Sequence, residues 1–368
     1  MIRSVLIERK EEHMKITKLY LFRYTVFDLL NIELSKGINI FVGENGTGKS
    51  HVLKVLYAAS RATEGKTAFA QKLVNLMLPD EYKLARLARH NSKDDTYIRV
   101  EADKSAEQQG YYISLGFDKE TYKWHAVAGN EEAWETGLAN TASIFIPAKE
   151  ILSNCYQLNS AVARNNVKFD DTYIDIIDAA KVDISKPVAM NMVSESTEEF
   201  GWKNALMKKI EQLIHGKVLY DSQKDAFYLH NSDGKLEFNL VAEGIRKLAL
   251  LWQLLKNSAL EKGGLLFWDE PEANINPAYL RQVAEILIAL ERHGVQIFLS
   301  THNYILAKYF EVLKDKNDDV LFHSLYKAKD GVAYECSEAF DELKNNAIVQ
   351  SFDKLLDEIY DLGVNGHE

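Results

Sequence analysis

The chain has 368 residues, is 46% hydrophobic and 27% charged, and carries a formal net charge of -10. That composition suits a soluble globular protein of one large or two modest domains, and the acidic balance disfavours a nucleic-acid-coated protein while leaving room for a local basic stripe. No apolar run approaches the ~20 residues of a membrane span, and Cys155 and Cys336 form neither a disulfide framework nor a metal pattern, which fits a reducing cytosol.

The first residues carry Glu8, Glu11 and Glu12 and no cleavage-site pattern, so they do not read as a signal peptide. Met14 opens a cleaner pattern, which leaves residues 1–13 as an alternative start or an appended segment. Residues 15–24 alternate as a strand, and two more short strands lead to Val42. The next eight residues, Gly43-Glu44-Asn45-Gly46-Thr47-Gly48-Lys49-Ser50, fit the phosphate-binding pattern G-x-x-x-x-G-K-[ST] without a gap. An apolar run ends at Val42, and a helical pattern begins at His51, so the loop has the strand-to-helix context the motif requires. Its glycines let several backbone N–H groups turn toward one anion, and the helix start adds a positive dipole end. Lys49 is placed to reach the β- and γ-phosphates, and the Ser50 hydroxyl to ligate Mg²⁺.

Residues 66–90 read as helical, with Lys83, Arg86 and Arg89 spaced as one stripe. That stripe suits phosphate contact, but a solvated helix face opposite Leu84 and Leu87 is the commoner origin of such spacing. Three β-like runs follow, around Tyr97–Val100, Tyr111–Leu115 and Tyr122–His125, and Ser143–Pro147 reads as a buried strand ended by proline. Residues 150–215 are polar and mainly helical, with loop points at Asn165-Asn166 and Ser194-Glu195-Ser196. They read as an inserted lid or interaction subdomain between lobes 1–149 and 216–368, without the heptads of a long coiled-coil arm. A hairpin pattern runs from Lys217 to Leu229. From Glu243 strand–helix alternation returns, which predicts a parallel sheet covered by helices.

Within that half, Val241–Leu251 reads as a helix start with Gly244 near its N-terminus. Gly264–Glu270 (G-L-L-F-W-D-E) is an apolar strand delivering two carboxylates at its C-terminal end, where ligands sit in open α/β sheets. Asp269 is placed to hold Mg²⁺ directly or through water, and Glu270 to polarise the attacking water. Val295–Asn303 (V-Q-I-F-L-S-T-H-N) is a second buried strand ending in a polar cluster that places His302 beside a γ-phosphate.

In this order the elements resemble the ABC-type ATPase heads of the SMC, RecF and OLD-like superfamily, over residues 14–60 and 235–305. Within it the chain looks most like compact bacterial anti-phage ATPases of the Septu, PARIS and retron-associated kind. The resemblance implies an α/β P-loop NTPase fold, with a mixed sheet core, an antiparallel β lobe and a helical insertion. Arg23 matches an arginine that contacts nucleotide in those heads. W-D-E-P-E-A-N-I-N-P resembles Walker B plus D-loop, with Asn274 and Asn276 on the latter, and S-T-H-N carries the switch histidine as His302. It further implies ATP and Mg²⁺ as cofactors and a homodimer or higher homo-oligomer. Two nucleotides would lie between two heads, with the Gly244 helix start of one chain facing Lys49, Ser50, Asp269, Glu270 and His302 of the other. The signature L-S-G-G-Q is replaced by V-A-E-G-I-R-K-L, so Arg246 or Lys247 is expected to supply positive charge there. Lys149, Glu150 or Gln157 stands for the missing Q-loop glutamine. The 66 residues beyond His302 show no E…D-x-D nuclease pattern. The expected activity is therefore an ATPase regulating a separately encoded effector (a nuclease or toxin), with no membrane partner. DNA clamping in repair is the alternative.

Overall fold

The computed structural model describes residues 13–62, 68–90, 95–104, 107–138, 141–164, 167–181 and 197–365. Residues 1–12, Asn165-Asn166 and Ser194–Ser196, discussed above, lie outside them.

The first lobe opens with β1 (Lys15–Tyr24), β2 (Phe27–Glu33) and β3 (Ile38–Gly43), then α1 (Lys49–Arg61) and α2 (Phe69–Met77). There follow β4 (Thr96–Lys104), β5 (Glu107–Phe117), β6 (Val127–Gly129), α3 (Glu131–Leu138) and β7 (Ser143–Ile146). The helical stretch holds α4 (Leu158–Ala163), α5 (Asp171–Lys181) and α6 (Thr197–Ile214), and leads to β8 (Lys217–Asp221), β9 (Ala226–Asn231) and β10 (Gly234–Glu237). The second lobe runs through α7 (Glu243–Lys256), β11 (Leu265–Asp269), α8 (Leu280–Arg292), β12 (Gln296–Thr301) and α9 (Tyr304–Leu313). It ends with β13 (Val320–Ala328), β14 (Gly331–Ser337) and α10 (Ala347–Asn365).

Among the described residues three sheets result, in the orders β14-β13-β3-β12-β11-β7, β2-β1-β4-β5-β6 and β10-β9-β8. In the first, β7, β11, β12, β3 and β13 are mutually parallel, and β14 returns antiparallel. The other two are antiparallel throughout. This is the predicted mixed core with an antiparallel β lobe. β3 and β12 are buried at every position because helices or strands cover both faces, which is why they read as continuous apolar runs. β1 instead buries Ile16, Leu19, Leu21 and Tyr24 and alternates, since only one face meets the core.

The central sheet separates two cores. Phe41, Phe145, Phe267 and Phe298 face α1 and the antiparallel lobe. Ile40, Ile144, Leu266, Trp268 and Leu299 face α7, α8 and the helical stretch, whose Ile151, Ile176, Ile177, Leu206 and Ile210 join that same core.

Some expectations are corrected. The helix predicted over 66–90 stops at Met77, because Leu78 is left-handed (φ 45°) and Pro79 cannot continue it. Lys83, Arg86 and Arg89 therefore sit on short 3₁₀ turns and extended chain, not along one helix face. Lys83 pairs with Glu81, and Arg89 with Asp28 at 3.2 Å. Tyr122–His125 is turn and loop, and the third strand lies at Val127–Gly129 instead. Among the described residues no helix is long and apolar enough to cross a membrane, and no His, Cys, Asp and Glu cluster has metal-site geometry. Cys155 and Cys336 are both free thiols.

Candidate nucleotide site

Register brings the site together. Asp269 lies opposite Ser300 across β11–β12, and Ser300 and Thr301 lie opposite Phe41 and Val42 across β12–β3. The glycine-rich loop, the tandem acids and the S-T-H-N turn thus emerge at one edge of the sheet.

The loop is shaped by residues that need glycine. Gly46 and Gly48 have φ of 81° and 90°, a region costly for other residues. A side chain at Gly48 would also collide with Phe27, and one at Gly43 with the Leu325 carbonyl 2.1 Å away. Glu44, Asn45 and Gly46 are exposed at the tip, while Thr47 is buried and its hydroxyl donates to the Glu44 carbonyl at 2.9 Å. Lys327 pairs with Glu44 at 2.6 Å. Lys49 is buried, and its ammonium donates to the Gly43 and Glu44 carbonyls at 2.9 and 2.8 Å. Burial pulls its pKa down to about 8 against the attraction of Asp269, Glu270 and Glu272. His51 Nδ1 lies 3.1 Å from the Thr25 hydroxyl, which seats the β1–β2 turn on the start of α1. Near the end of β1 Arg23 is left-handed (φ 55°), and its guanidinium pairs with Asp28.

The Ser50 hydroxyl donates to Asp269 Oδ1 at 3.1 Å, across 219 residues of sequence, and the Ser300 hydroxyl reaches the same oxygen. Two hydroxyls and a carboxylate are hard oxygen donors, the set Mg²⁺ takes together with phosphate oxygens and water. Glu270 adopts a left-handed φ of 47°. That conformation turns its carboxylate to within 3.4 Å of His302 Nε2. Burial and the nearby Lys49 lower the His302 pKa, so the ring is mainly neutral at pH 7. Glu272 escaped the sequence reading. Its carboxylate accepts from the Thr301 hydroxyl at 2.8 Å and the His302 N–H at 2.9 Å, and burial raises its pKa. It braces the His302 turn. The signal available for it was a second acid two places beyond the first, in E-P-E.

Gly244 lies in the first turn of α7 and packs on its own chain: a Cβ there would lie 2.5 Å from the Asn274 carbonyl. Arg246 pairs at 2.8 Å with Glu150, whose side chain is fully buried, and Lys247 is 1% exposed. Both cations are committed inward, which corrects the expectation that either faces another head. Of the Q-loop candidates, Glu150 is thereby tied to α7. Gln157 is exposed beside Asp225, to which its N–H donates at 3.0 Å, and Lys149 has no described contact with the site.

Comparisons with known proteins bear on the fold and the class of protein. Residues 159–307, under half the chain, match the family described as "AAA domain, putative AbiEii toxin, Type IV TA system". The chain is 32% identical over 87 residues to the DNA replication and repair protein RecF of Clostridium tetani, and 37% identical over 103 residues to that of Clostridium kluyveri. The first match spans 24% of each protein, the second 27% of this chain and 28% of the relative, so only about a quarter of either relative's length is covered. In three dimensions the chain is similar to an SMC head bound to the C-terminal winged-helix domain of ScpA (TM-score 0.59, 11% identity, 90% of this chain and 99% of that one). It is also similar to an SMC head with an extended coiled coil, bound to the C-terminal domain of ScpA from Pyrococcus furiosus (TM-score 0.54, 12% identity, 94% and 100%). At that identity the likeness speaks for the fold, and the fold is that of an ABC/SMC-like P-loop head.

Proposed function

We propose that the chain binds and hydrolyses ATP with Mg²⁺ and uses the cycle to bring a pair of heads together and release them. The observation that carries this reading is the 3.1 Å contact between Ser50 and Asp269, which unites the phosphate loop with the acidic strand. The loop N–H groups and Lys49 bind the β- and γ-phosphates. Ser50 and Asp269 would hold a Mg²⁺ ion, which would supply positive charge to offset the charge developing on the phosphate oxygens. Glu270 accepts the proton of the attacking water, and neutral His302, braced by Glu272, fixes that carboxylate and reaches the γ-phosphate. Arg23 and His51 border the nucleotide from the end of β1 and from α1. The Gly244 helix start is assigned to the nucleotide of the opposite head in a C₂ pair, so ATP favours the joined state and hydrolysis releases it.

The partner reading is regulation of a separately encoded effector, a nuclease or toxin in an anti-phage system. The matched toxin–antitoxin family description supports it. RecF relatives favour a second reading, a DNA-clamping repair ATPase. Duplex affinity that falls steeply with salt supports the second reading, and its absence the first.

The test of the site is Glu270→Gln. Phosphate release should fall by about 10²–10⁴-fold, while ATP binding persists and light scattering with Mg-ATP reports twice the monomer mass. Undiminished turnover contradicts the role of Glu270, and a strict monomer contradicts ATP-driven association.

A further inference from the structure

We infer that Lys247 is a positioning residue: from the first turn of α7 it holds the backbone of Glu270 and so sets where the catalytic carboxylate sits. The inference rests on the ATPase reading above. Lys247 is 1% exposed, and burying an ammonium is costly unless it is paired. Yet among the described residues no carboxylate lies within ion-pair distance of it. Its Nζ donates to the Glu270 carbonyl at 3.4 Å. That carbonyl also accepts from the Ala273 N–H at 3.1 Å, while the Glu270 N–H donates to the Ser300 carbonyl at 3.1 Å. Glu270 thus sits in a disfavoured backbone conformation pinned from three sides, and Lys247 supplies the pin that comes from α7.

The rest of the α7 start fits the same task. Gly244 lets the helix touch the far end of the turn, at Asn274 and Ile275, where any Cβ would collide. Arg246, locked to buried Glu150 and donating to the Phe238 carbonyl at 3.0 Å, fixes how the helix is rotated. The first turn of α7 therefore grips the 270–275 turn at both ends. The surrounding carboxylates of Glu243, Glu270, Glu272 and Glu150 favour the charged lysine, while burial opposes it and lowers its pKa. A buried amine at this position is costlier than a packed apolar side chain would be.

The experiment is Lys247→Met in the full chain. A lysine kept only for stability would show a lowered thermal midpoint. Here removing a buried, unpaired charge should leave the midpoint level or higher. Turnover should nonetheless fall at least tenfold, because small displacements at a reacting group cost rate steeply, while KM and ATP affinity stay within twofold. A kcat equal to wild type overturns the inference. Absence of phosphate release from wild type would instead overturn the ATPase reading. Should the methionine variant not fold, Lys247→Ala is assayed with added propylammonium and with propanol. Rescue of turnover by the cation alone supports positioning by the ammonium, and equal rescue by the alcohol, or none by either, refutes it.

Discussion

Two clusters of three carboxylates sit on either side of α1, and they are wired differently. On α5 and just before it, Asp170, Asp171 and Asp175 are each met by a cation. Lys54 reaches Asp170 at 2.8 Å, and Lys72 reaches Asp171 at 2.8 Å and Asp175 at 2.7 Å. Tyr57 adds a hydrogen bond to Asp175 at 2.6 Å. At the end of β11, Asp269, Glu270 and Glu272 are met instead by hydroxyls, amides and a mainly neutral imidazole. The nearby cations, Lys49 and Lys247, donate to carbonyls. With Arg61 at 3.9 Å from Asp175 as a third cation, the first cluster is neutralised in place and fastens α5 to α1 and α2. The second keeps a negative field where a divalent cation and a triphosphate would complete it.

The contrast can be broken by exchanging roles. Lys72→Met leaves Asp171 without its cation and Asp175 with only Arg61, at 3.9 Å, and should cost about 3 kcal/mol of stability, read by urea unfolding, with ATP affinity unchanged. A loss of nucleotide binding at equal stability would show that the α5 cluster also serves the site. Lys49→Ala should do the reverse: ATP affinity falls about 100-fold through lost charge-assisted bonds to phosphate, with little change in unfolding. Unchanged affinity would mean that the phosphates lie elsewhere.

A pH series sharpens the comparison with a third, uncharged arrangement. His323 is buried between β3 and β14, stacked on Phe41 at 4.6 Å and hydrogen-bonded to Asn39 and Tyr334 at 3.0 Å each. Burial pushes its pKa from 6.5 down to about 3. The unfolded chain therefore takes up the proton first. Stability contributed by neutral His323 is complete above pH 6.5 and declines by about 1.4 kcal/mol per pH unit below it. His323→Gln should flatten that slope in unfolding curves between pH 6.5 and 5, and an unaltered slope would assign it to other groups.

The features of the site legible in the sequence are those whose chemistry is local. The glycine loop needs particular backbone angles at consecutive positions, and Asp269, Glu270 and His302 follow directly on apolar strands. Glu272, Ser300 and Lys247 are equally close to the chemistry but act through residues on other elements, far away in sequence, which no local period records. The basic stripe failed for a related reason: its spacing is helical, but Pro79 precedes it and ends the helix. The hairpin of β13 and β14 had a signal, the Lys329-Asp330-Gly331 turn between two β-rich runs, while its attachment to β3 is a tertiary choice. The antiparallel lobe was legible in β1, β4 and β5 because burial on one face leaves alternation in the sequence.

That attachment bears on synthesis. β3, which delivers the glycine loop, lies between β12 and β13, and Gly43 fits under the Leu325 carbonyl. A nascent polypeptide leaving the ribosome exposes the loop early, but its strand has no neighbour on either side until residues 296–301 and then 320–328 have emerged. Until β13 has been made, the proposed triphosphate pocket is an open sheet edge, so nucleotide can reward only a chain synthesised beyond residue 328.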